Sequence, residues 1–289
     1  MPEESTDTQK KSRGEHLKHY FWLALRVALL SYCGLTLLLY LIQTKLMFPG
    51  AGPLERNPAS LGWAFEEILD PVPGGETHGW YIPLEKARGV VLFSHGNGEN
   101  VSDALEHVRL FRELGFSALV YDYGGYGKST GKPSEQRVYE DIRAMWRFLV
   151  EQKKVAPEHI VLWGRSLGGG PVSQLASEVK PGAIILESTF SSGVDITKET
   201  FPYLPVRLLL RDRFDNIKKV PLFKAPLMII HSRNDTLVPE HHGKALFDAA
   251  HEPKKFVETR GDHNEGLFVS WDTYKQALND FLTPLFPTP

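Results

Sequence analysis

The longest apolar stretch of the chain lies near its N-terminus. Residues 21–42 read FWLALRVALLSYCGLTLLLYLI, and Arg26 is the only charged residue among these 22. A helix of this length covers roughly 33 Å, enough to cross the hydrocarbon core of a bilayer. Aromatic side chains flank it, with Tyr20 before the stretch and Tyr40 near its end, as is common at membrane interfaces. The pattern predicts a transmembrane anchor over residues 20–43.

Two other interpretations of this stretch fit less well. A cleaved signal peptide has a shorter apolar core and a small-residue cleavage site, whereas here the chain continues as QTKLMFPG. A helix buried in a soluble core has a polar face, whereas this stretch is apolar all round.

The charges on either side of the stretch indicate an orientation. Residues 1–19 are polar, which predicts a disordered N-terminal tail. Basic residues are more frequent before the stretch than after it, so the positive-inside rule predicts a cytosolic N-terminus and a main domain on the opposite side. The residues concerned are Lys10, Lys11, Arg13 and Lys18 before it, and Lys45 and Arg56 after it.

The remaining chain, residues 44–289, alternates short apolar runs with amphipathic stretches. The first two runs are separated by PVPGG and predict a hairpin. The later runs are continuously apolar, which is typical of a parallel sheet covered by helices on both faces. Residues 188–224 interrupt the alternation and predict a lid inserted over one end of the sheet. The predicted strands are 65–69, 77–82, 89–94, 117–121, 160–163, 183–186, 227–230 and 255–258.

Composition narrows the classes of function. The 289 residues carry a formal net charge of −2, so there is no basic excess for a nucleic-acid partner. The single cysteine, Cys33, excludes an internal disulfide and a cysteine-based metal site within one chain. The histidines show no H-E-x-x-H or similar ligand spacing. We therefore expect no metal and no cofactor.

One pentapeptide carries the chemistry of a nucleophile. Gly164-Arg165-Ser166-Leu167-Gly168 fits G-x-S-x-G, follows the apolar run IVLW and opens a helical pattern. This is the context of a nucleophile elbow, in which a sharp turn exposes the serine at the carboxyl end of the sheet. The alternative is a plain glycine-rich turn from strand to helix. We predict that Ser166 is the nucleophile.

A serine hydroxyl needs a base, and the base needs an acid that orients it. In this architecture the chain order is serine, acid, histidine. His263 lies in a loop after the last predicted strand and is the predicted base, whereas His231 precedes the acid and His241, His242 and His251 fall on or beside a helix. Asp235 follows the run LMII and is the predicted acid. Glu187 ends the preceding run and remains the rival.

The transition state also requires donors for an oxyanion. We predict the backbone N–H of Leu167, directly after the nucleophile, as one donor. The second comes from the loop after the third strand, which reads HGNGEN, and the Asn97 N–H is the candidate. We interpret His95, Asp122 and Tyr123 as residues that shape the neighbouring loops.

The order and spacing of these motifs resemble those of a known family. The segments are HGNGEN, YDYGGYGKSTGKPSE, GRSLGGG, NDTLVP and GDHN. Residues 60–285 resemble the α/β-hydrolase superfamily, and within it the membrane-anchored serine hydrolases of Bem46 and of the α/β-hydrolase-domain-containing 12, 13 and 17 group. The resemblance implies the α/β-hydrolase fold with a mostly parallel eight-stranded sheet, a Ser166–Asp235–His263 triad, and cofactor-independent hydrolysis of carboxylic esters, including lipid esters and thioesters. Gly98-Glu99 stands where relatives often carry a small residue and glycine, so the head-group preference does not carry over.

The sequence therefore predicts a single-pass membrane serine hydrolase that acts on small-molecule or lipid-like esters or thioesters. Two other functions remain open: an aminopeptidase-like amidase, and a non-catalytic binding module tethered to the membrane. Acyl-chain length, head group, the membrane concerned and the oligomeric state are not determined by these patterns.

Overall fold

A long N-terminal helix opens the structure. The computed structural model describes the backbone of residues 4–287 and the side chains of residues 15–287. Helix α1 runs over Glu4–Met47, and its segment Glu15–Met47 is apolar enough to span a membrane, with a mean hydropathy of 1.9 in its most apolar part. The chain divides between Leu46 and Met47 into this helix and a second unit.

The start of α1 differs from the predicted disordered tail. The helix begins at Glu4, so residues 4–19 are helical, and residues 1–3 lie outside the described part of the chain. The polar composition of residues 1–19 is the basis of the predicted disordered tail. Residues 4–19 contain no proline, and lengthening a helix that already exists carries no nucleation penalty.

The second unit is built on a single sheet. Within residues 4–287, eight strands pair in the order β1-β2-β4-β3-β5-β6-β7-β8. The hairpin β1–β2 and the pair β2–β4 are antiparallel, and all other pairs are parallel. This confirms the mostly parallel eight-stranded sheet. The strands are β1 (Glu66–Val72), β2 (Gly75–Ile82), β3 (Val90–Ser94), β4 (Ser117–Tyr121), β5 (Ile160–Arg165), β6 (Ala183–Glu187), β7 (Leu227–Ser232) and β8 (Lys254–Thr259).

Helices cover both faces of the sheet, as predicted. Alternate residues of each central strand enter different cores: in β3, Leu92 packs with one set of helices, whereas Val91 and Phe93 pack with the other. Every residue of β3 to β7 is buried, because both faces of these strands are covered. The helices are α2 (Leu105–Glu113), α3 (Glu135–Arg147), α4 (Gly169–Glu178), α5 (Gly193–Thr200), α6 (Val206–Leu209), α7 (Asn216–Lys219), α8 (Glu240–Ala249), α9 (Gly266–Val269) and α10 (Trp271–Leu282).

The segment 188–224 enters after β6 and leaves before β7, and it carries the short helices α5, α6 and α7. Phe190 and Phe214 are buried in the core on one face of the sheet. Tyr203 and Leu208 remain 88% and 85% exposed. The segment is therefore attached to the core by some of its apolar side chains and presents others to its surroundings.

The C-terminal part of the chain forms two helices separated by one residue. Helix α9 ends at Val269 and α10 begins at Trp271. Between them the Ser270 hydroxyl accepts a hydrogen bond from the Arg260 N–H at 2.9 Å. A serine side chain that bonds to the backbone in this way competes with continuous helix.

Candidate active site

Ser166 sits in a sharp turn at the end of β5. Its φ is +51°, a strained value for a residue with a side chain. Glycine is required on both sides, because a Cβ on Gly164 would lie 2.3 Å from the Gly168 carbonyl oxygen, and a Cβ on Gly168 would lie 2.0 Å from the Ser94 carbonyl oxygen. This local geometry is that of a nucleophile elbow.

The His263 ring lies between Ser166 and Asp235. Its Nε2 is 3.0 Å from Ser166 Oγ, and its Nδ1 is 2.7 Å from Asp235 Oδ2. The three residues are 97 and 28 positions apart in sequence. Each is at most 8% exposed. A hydroxyl, an imidazole and a carboxylate joined in this order can remove and return a proton at the serine oxygen.

The other oxygen of Asp235 fixes the orientation of the carboxylate. Asp235 Oδ1 accepts the backbone N–H groups of Leu237 at 3.0 Å and Val238 at 2.8 Å. These bonds leave Oδ2 directed at His263. His231 also contacts this loop, since its Nε2 lies 2.7 Å from the Val238 carbonyl oxygen.

His231 lies near the end of β7 and is buried beside the loop of Asp235. Its Nε2 is 3.6 Å from Asp235 Oδ2. Burial lowers its pKa, against the opposing effects of the Val238 carbonyl and Asp235. A neutral His231 adds no second positive charge beside Asp235, so the carboxylate is left to interact with His263.

Asp262 joins the loop of Asp235 to the loop of His263. Its Oδ1 accepts the Thr236 N–H at 2.9 Å and the His263 N–H at 2.8 Å. These two bonds lower the pKa of the Asp262 carboxyl. The residue is exposed and lies beside the histidine, but its contacts are with backbone rather than with the imidazole ring.

Glu187, the rival acid, faces a different set of partners. Its Oε2 accepts the Trp163 Nε1–H at 2.9 Å and lies 3.5 Å from His107 Nε2. Its Oε1 lies 3.7 Å from Arg165 Nε. Burial would raise its pKa, but His107 and Arg165 bring it down to about 2. The Glu187 carboxylate is therefore engaged in the core, and the carboxylate in contact with His263 is that of Asp235.

The loop after β3 contains Asn97, the predicted second oxyanion donor. Tyrosine hydroxyls from the neighbouring glycine-rich loop hold it: Tyr126 donates to Asn97 Oδ1 at 2.7 Å, and Tyr123 donates to the His95 carbonyl oxygen at 2.6 Å. Leu167 directly follows Ser166 and lies in a helical turn over Ser166–Gly168. The Asn97 and Leu167 amides remain the candidate oxyanion donors.

Asp122 fixes the glycine-rich loop relative to the loop after β3. It is fully buried. One oxygen accepts the Val101 N–H at 2.9 Å, and the other lies 2.7 Å from His78 Nδ1. Gly127 passes so close that a Cβ there would lie 2.1 Å from the carboxylate. Asp122 therefore shapes loops and makes no contact with the serine in the described structure.

Arg165 was not identified as a functional residue from sequence. Its guanidinium is nearly buried and forms an ion pair with Glu99. The same group donates to the His263 carbonyl oxygen at 3.3 Å and to Asn264 Oδ1 at 2.6 Å. The signal was present in the sequence, because an arginine that ends a buried apolar strand requires a partner. Glu99 is thus paired, and its charge is balanced.

Comparison with other sequences agrees with this architecture. Residues 85–196 match the family described as serine aminopeptidase, S33. An uncharacterized protein of Mycobacterium tuberculosis is 33% identical over 254 residues, which are 86% of this chain and 90% of that protein. The alpha/beta hydrolase domain-containing protein 17B of Homo sapiens is 32% identical over 204 residues, 68% of this chain and 67% of that protein.

Solved structures show the same fold at lower identity. An esterase of Pyrococcus furiosus superposes with a TM-score of 0.66 at 19% identity, covering 82% of this chain and 97% of that one. An alpha-beta hydrolase of Vibrio vulnificus superposes with a TM-score of 0.63 at 22% identity, covering 76% and 82%. At these identities the likeness establishes the arrangement of strands and helices.

Proposed function

The chain belongs to the α/β-hydrolase superfamily, with relatives among the α/β-hydrolase-domain-containing 17 proteins, and from that premise we propose that it is a serine hydrolase with an acyl-enzyme on Ser166. The observation that carries the proposal is the His263 ring, whose two nitrogens lie 3.0 Å from Ser166 Oγ and 2.7 Å from Asp235 Oδ2. The base and its orienting acid are both within hydrogen-bond reach.

In the acylation step Ser166 Oγ attacks the carbonyl carbon of an ester or thioester. His263 Nε2 takes the serine proton as the new bond forms. Asp235 holds the ring in the tautomer with Nδ1–H and stabilises the imidazolium. Collapse of the tetrahedral intermediate expels the alcohol or thiol, which takes the proton from His263 Nε2.

The Asn97 and Leu167 N–H groups bind the oxyanion in this proposal. A water molecule then attacks the acyl-enzyme, loses its proton to His263 and releases the acid, and the proton returns to Ser166. The Leu167 N–H follows the nucleophile directly, so it is fixed by the same turn that exposes the hydroxyl. Neither step requires a cofactor.

The proposed substrates are carboxylic esters or thioesters, including lipid-like acyl compounds. Three exposed apolar side chains of the 188–224 segment support this choice: Phe201, Tyr203 and Leu208 are 47%, 88% and 85% exposed. Exposed apolar side chains on one segment are typical of a surface that meets an acyl chain or a membrane. In this proposal the segment acts as a lid over the substrate.

We also propose that α1 anchors the protein in a membrane, with the N-terminus in the cytosol and the hydrolase unit on the other side. The basic residues before the span support that orientation. Protease added to sealed microsomes from the expressing cells should leave a C-terminal epitope intact and remove an N-terminal one. The reverse pattern would contradict the orientation while leaving the anchor in place.

The decisive test of the hydrolase proposal compares wild type with Ser166→Ala on p-nitrophenyl esters. We expect turnover to fall by about 10⁴-fold or more, because removal of one triad member leaves only the residual effect of binding and the oxyanion hole. A fluorophosphonate probe should label wild type and not the variant. Turnover near that of wild type in Ser166→Ala would overturn the mechanism, and an unlabelled wild type would favour the non-catalytic binding module.

An amidase is the second candidate, and the match of residues 85–196 to a serine aminopeptidase family favours it. The same triad cleaves amides when the leaving amine is protonated by the histidine. A panel of acyl esters, acyl thioesters and aminoacyl amides, each with wild type and Ser166→Ala, separates the two. Faster Ser166-dependent cleavage of the amides would replace the esterase proposal.

A further inference from the structure

Two histidines and a glutamate meet away from Ser166. Glu199 lies near the end of α5, in the 188–224 segment, and His241 and His242 lie in the first turn of α8. Glu199 Oε1 is 2.9 Å from His241 Nε2, and Glu199 Oε2 is 3.4 Å from His242 Nε2. The two imidazole rings stack with centroids 4.5 Å apart. One carboxylate thus faces two imidazole nitrogens that are side by side.

The spacing of these atoms suits a small divalent cation. The three candidate ligand atoms lie within 4.8 Å of one another. Zinc binds imidazole nitrogen and carboxylate oxygen at about 2.0–2.2 Å in tetrahedral geometry. Ligand atoms around such an ion are therefore about 3.3 Å apart. The separations of 2.9 Å from Glu199 Oε1 to His241 Nε2 and 3.4 Å from Glu199 Oε2 to His242 Nε2 lie close to that value. The carboxylate has to rotate for one of its oxygens to share an ion with both nitrogens.

His242 provides an independent indication. The residue is 1% exposed, and among the described residues its Nε2 is a buried nitrogen without a hydrogen-bond partner. A buried nitrogen that lacks a partner costs free energy. An ion held with Glu199 would satisfy it.

The opposite nitrogen of His242 lies beside a serine oxygen that can accept its proton. Nδ1 lies 2.9 Å from Ser191 Oγ, and Ser191 Oγ lies 3.2 Å from Asp195 Oδ2. The Ser191 backbone N–H donates to Nδ1 at 3.3 Å, so an ion at Nε2 requires the proton to move to Nδ1, where the contact with Ser191 Oγ replaces this longer bond. Ligating histidines commonly donate their second N–H to such a group, which fixes the tautomer and leaves the other nitrogen free to bind metal.

We propose that Glu199, His241 and His242 form a binding site for a divalent transition metal of the zinc class, with water as the fourth ligand. The site shares no residue with Ser166, Asp235 and His263, and it does not depend on the proposed hydrolase activity. The ion would join the 188–224 segment to α8, which follows the loop of Asp235. A glutamate 42 residues before a histidine matches no short ligand spacing, so the sequence predicted no metal.

The test uses the full-length protein in detergent, without a histidine tag, after treatment with EDTA. Zinc is titrated calorimetrically into wild type, Glu199→Gln, His241→Asn and the control His251→Asn, an exposed histidine outside the cluster. Glu199 and His241 are exposed, so both variants should keep the wild-type Tm in EDTA. Cobalt loading adds a spectroscopic measurement, because tetrahedral Co²⁺ has visible d–d absorption that octahedral aqueous Co²⁺ shows only weakly.

We expect wild type and His251→Asn to bind one zinc ion that Glu199→Gln and His241→Asn bind at least about tenfold more weakly. Zinc at a hundredfold excess over the wild-type Kd should raise the Tm of wild type by about 5 °C and that of Glu199→Gln by about half as much or less. The cobalt bands should follow the same order. Equal affinity in wild type and both cluster variants, or no saturable binding in wild type, would overturn the site.

Discussion

The Arg165 guanidinium and the Glu99 carboxylate form an ion pair that joins the end of β5 to the loop of the candidate oxyanion donor Asn97. The second Glu99 oxygen accepts the Gly96 N–H at 2.8 Å. On its other side, Arg165 donates to the His263 carbonyl oxygen at 3.3 Å. Burial would raise the pKa of Glu99, but Arg165 lowers it, so the pair is ionised at neutral pH. One side chain therefore fixes both loops that flank Ser166.

Removal of this pair should impair catalysis more than substrate binding. We expect Glu99→Ala to lower kcat by about tenfold to a hundredfold with little change in KM, because the loop of Asn97 loses its attachment to Arg165 while the tyrosine contacts and the rest of the site remain. Glu99→Gln should recover part of the loss, since an amide oxygen still accepts from Gly96. Steady-state kinetics on a p-nitrophenyl ester measures both.

The matched control is Glu113→Gln, which removes an exposed ion pair with Lys275. Exposed pairs contribute little, so this variant should match wild type. A wild-type kcat in Glu99→Ala would show that the loop holds its position without the ion pair.

The acid of the triad can be identified by two substitutions. Asp235→Asn should reduce turnover by about 10⁴-fold, because the amide favours the wrong imidazole tautomer. Glu187→Gln should reduce it by less than about tenfold, since Glu187 contacts Trp163 and Arg165 instead of His263. Both are measured with the same ester at saturating concentration. If Glu187→Gln, and not Asp235→Asn, loses about 10⁴-fold in turnover, then Glu187 is the acid.

Glu187 should also govern acid stability. Its pKa is about 2 in the folded chain against a reference of 4.5. Because the folded pKa is the lower one, its stabilising contribution is present above about pH 4.5 and is lost as the pH falls towards 2. The full window corresponds to about 3 kcal/mol. Wild type should therefore lose more thermal stability than Glu187→Gln between pH 6 and pH 3.

The test compares how the Tm of wild type and of Glu187→Gln changes with pH. The Tm of the variant at a single pH is not informative, because the substitution leaves Arg165 with one carboxylate fewer and lowers stability at every pH. Parallel profiles for wild type and variant would show that Glu187 titrates alike in the folded and unfolded chain.

The turn at Ser166 depends on a close backbone approach. A Cβ on Gly168 would lie 2.0 Å from the Ser94 carbonyl oxygen, so Gly168→Ala must push β3 and the turn apart. Forced overpacking costs about 1–3 kcal/mol, and we expect a lower Tm together with loss of fluorophosphonate labelling. Gly52→Ala is the control, since a Cβ there meets nothing within 4 Å. Equal Tm values for the two variants would contradict the tight approach.

Much of the fold follows from local patterns. The predicted run 117–121 coincides with β4 (Ser117–Tyr121), and the other runs agree within a few residues, because continuous apolar segments between glycine-rich turns have few alternatives. Ser166 could be predicted as the candidate nucleophile for the same reason, since the elbow is encoded within five consecutive residues. The polar start of α1 is not such a pattern, because polarity does not separate a tail from a helix extended from an apolar core.

Contacts between residues far apart in sequence could be identified only from the order of the strands in the sheet. His263 meets Ser166 across 97 positions, and Asp235 rather than Glu187 faces it only because β7 and β8 lie side by side beyond β6. The Glu99–Arg165 pair and the Glu199–His241–His242 cluster are also contacts between residues far apart in sequence. Hydrophobic periodicity and turn residues act over a few positions, so the local sequence encodes them. A contact between residues far apart in sequence exists only after packing has fixed which elements are neighbours.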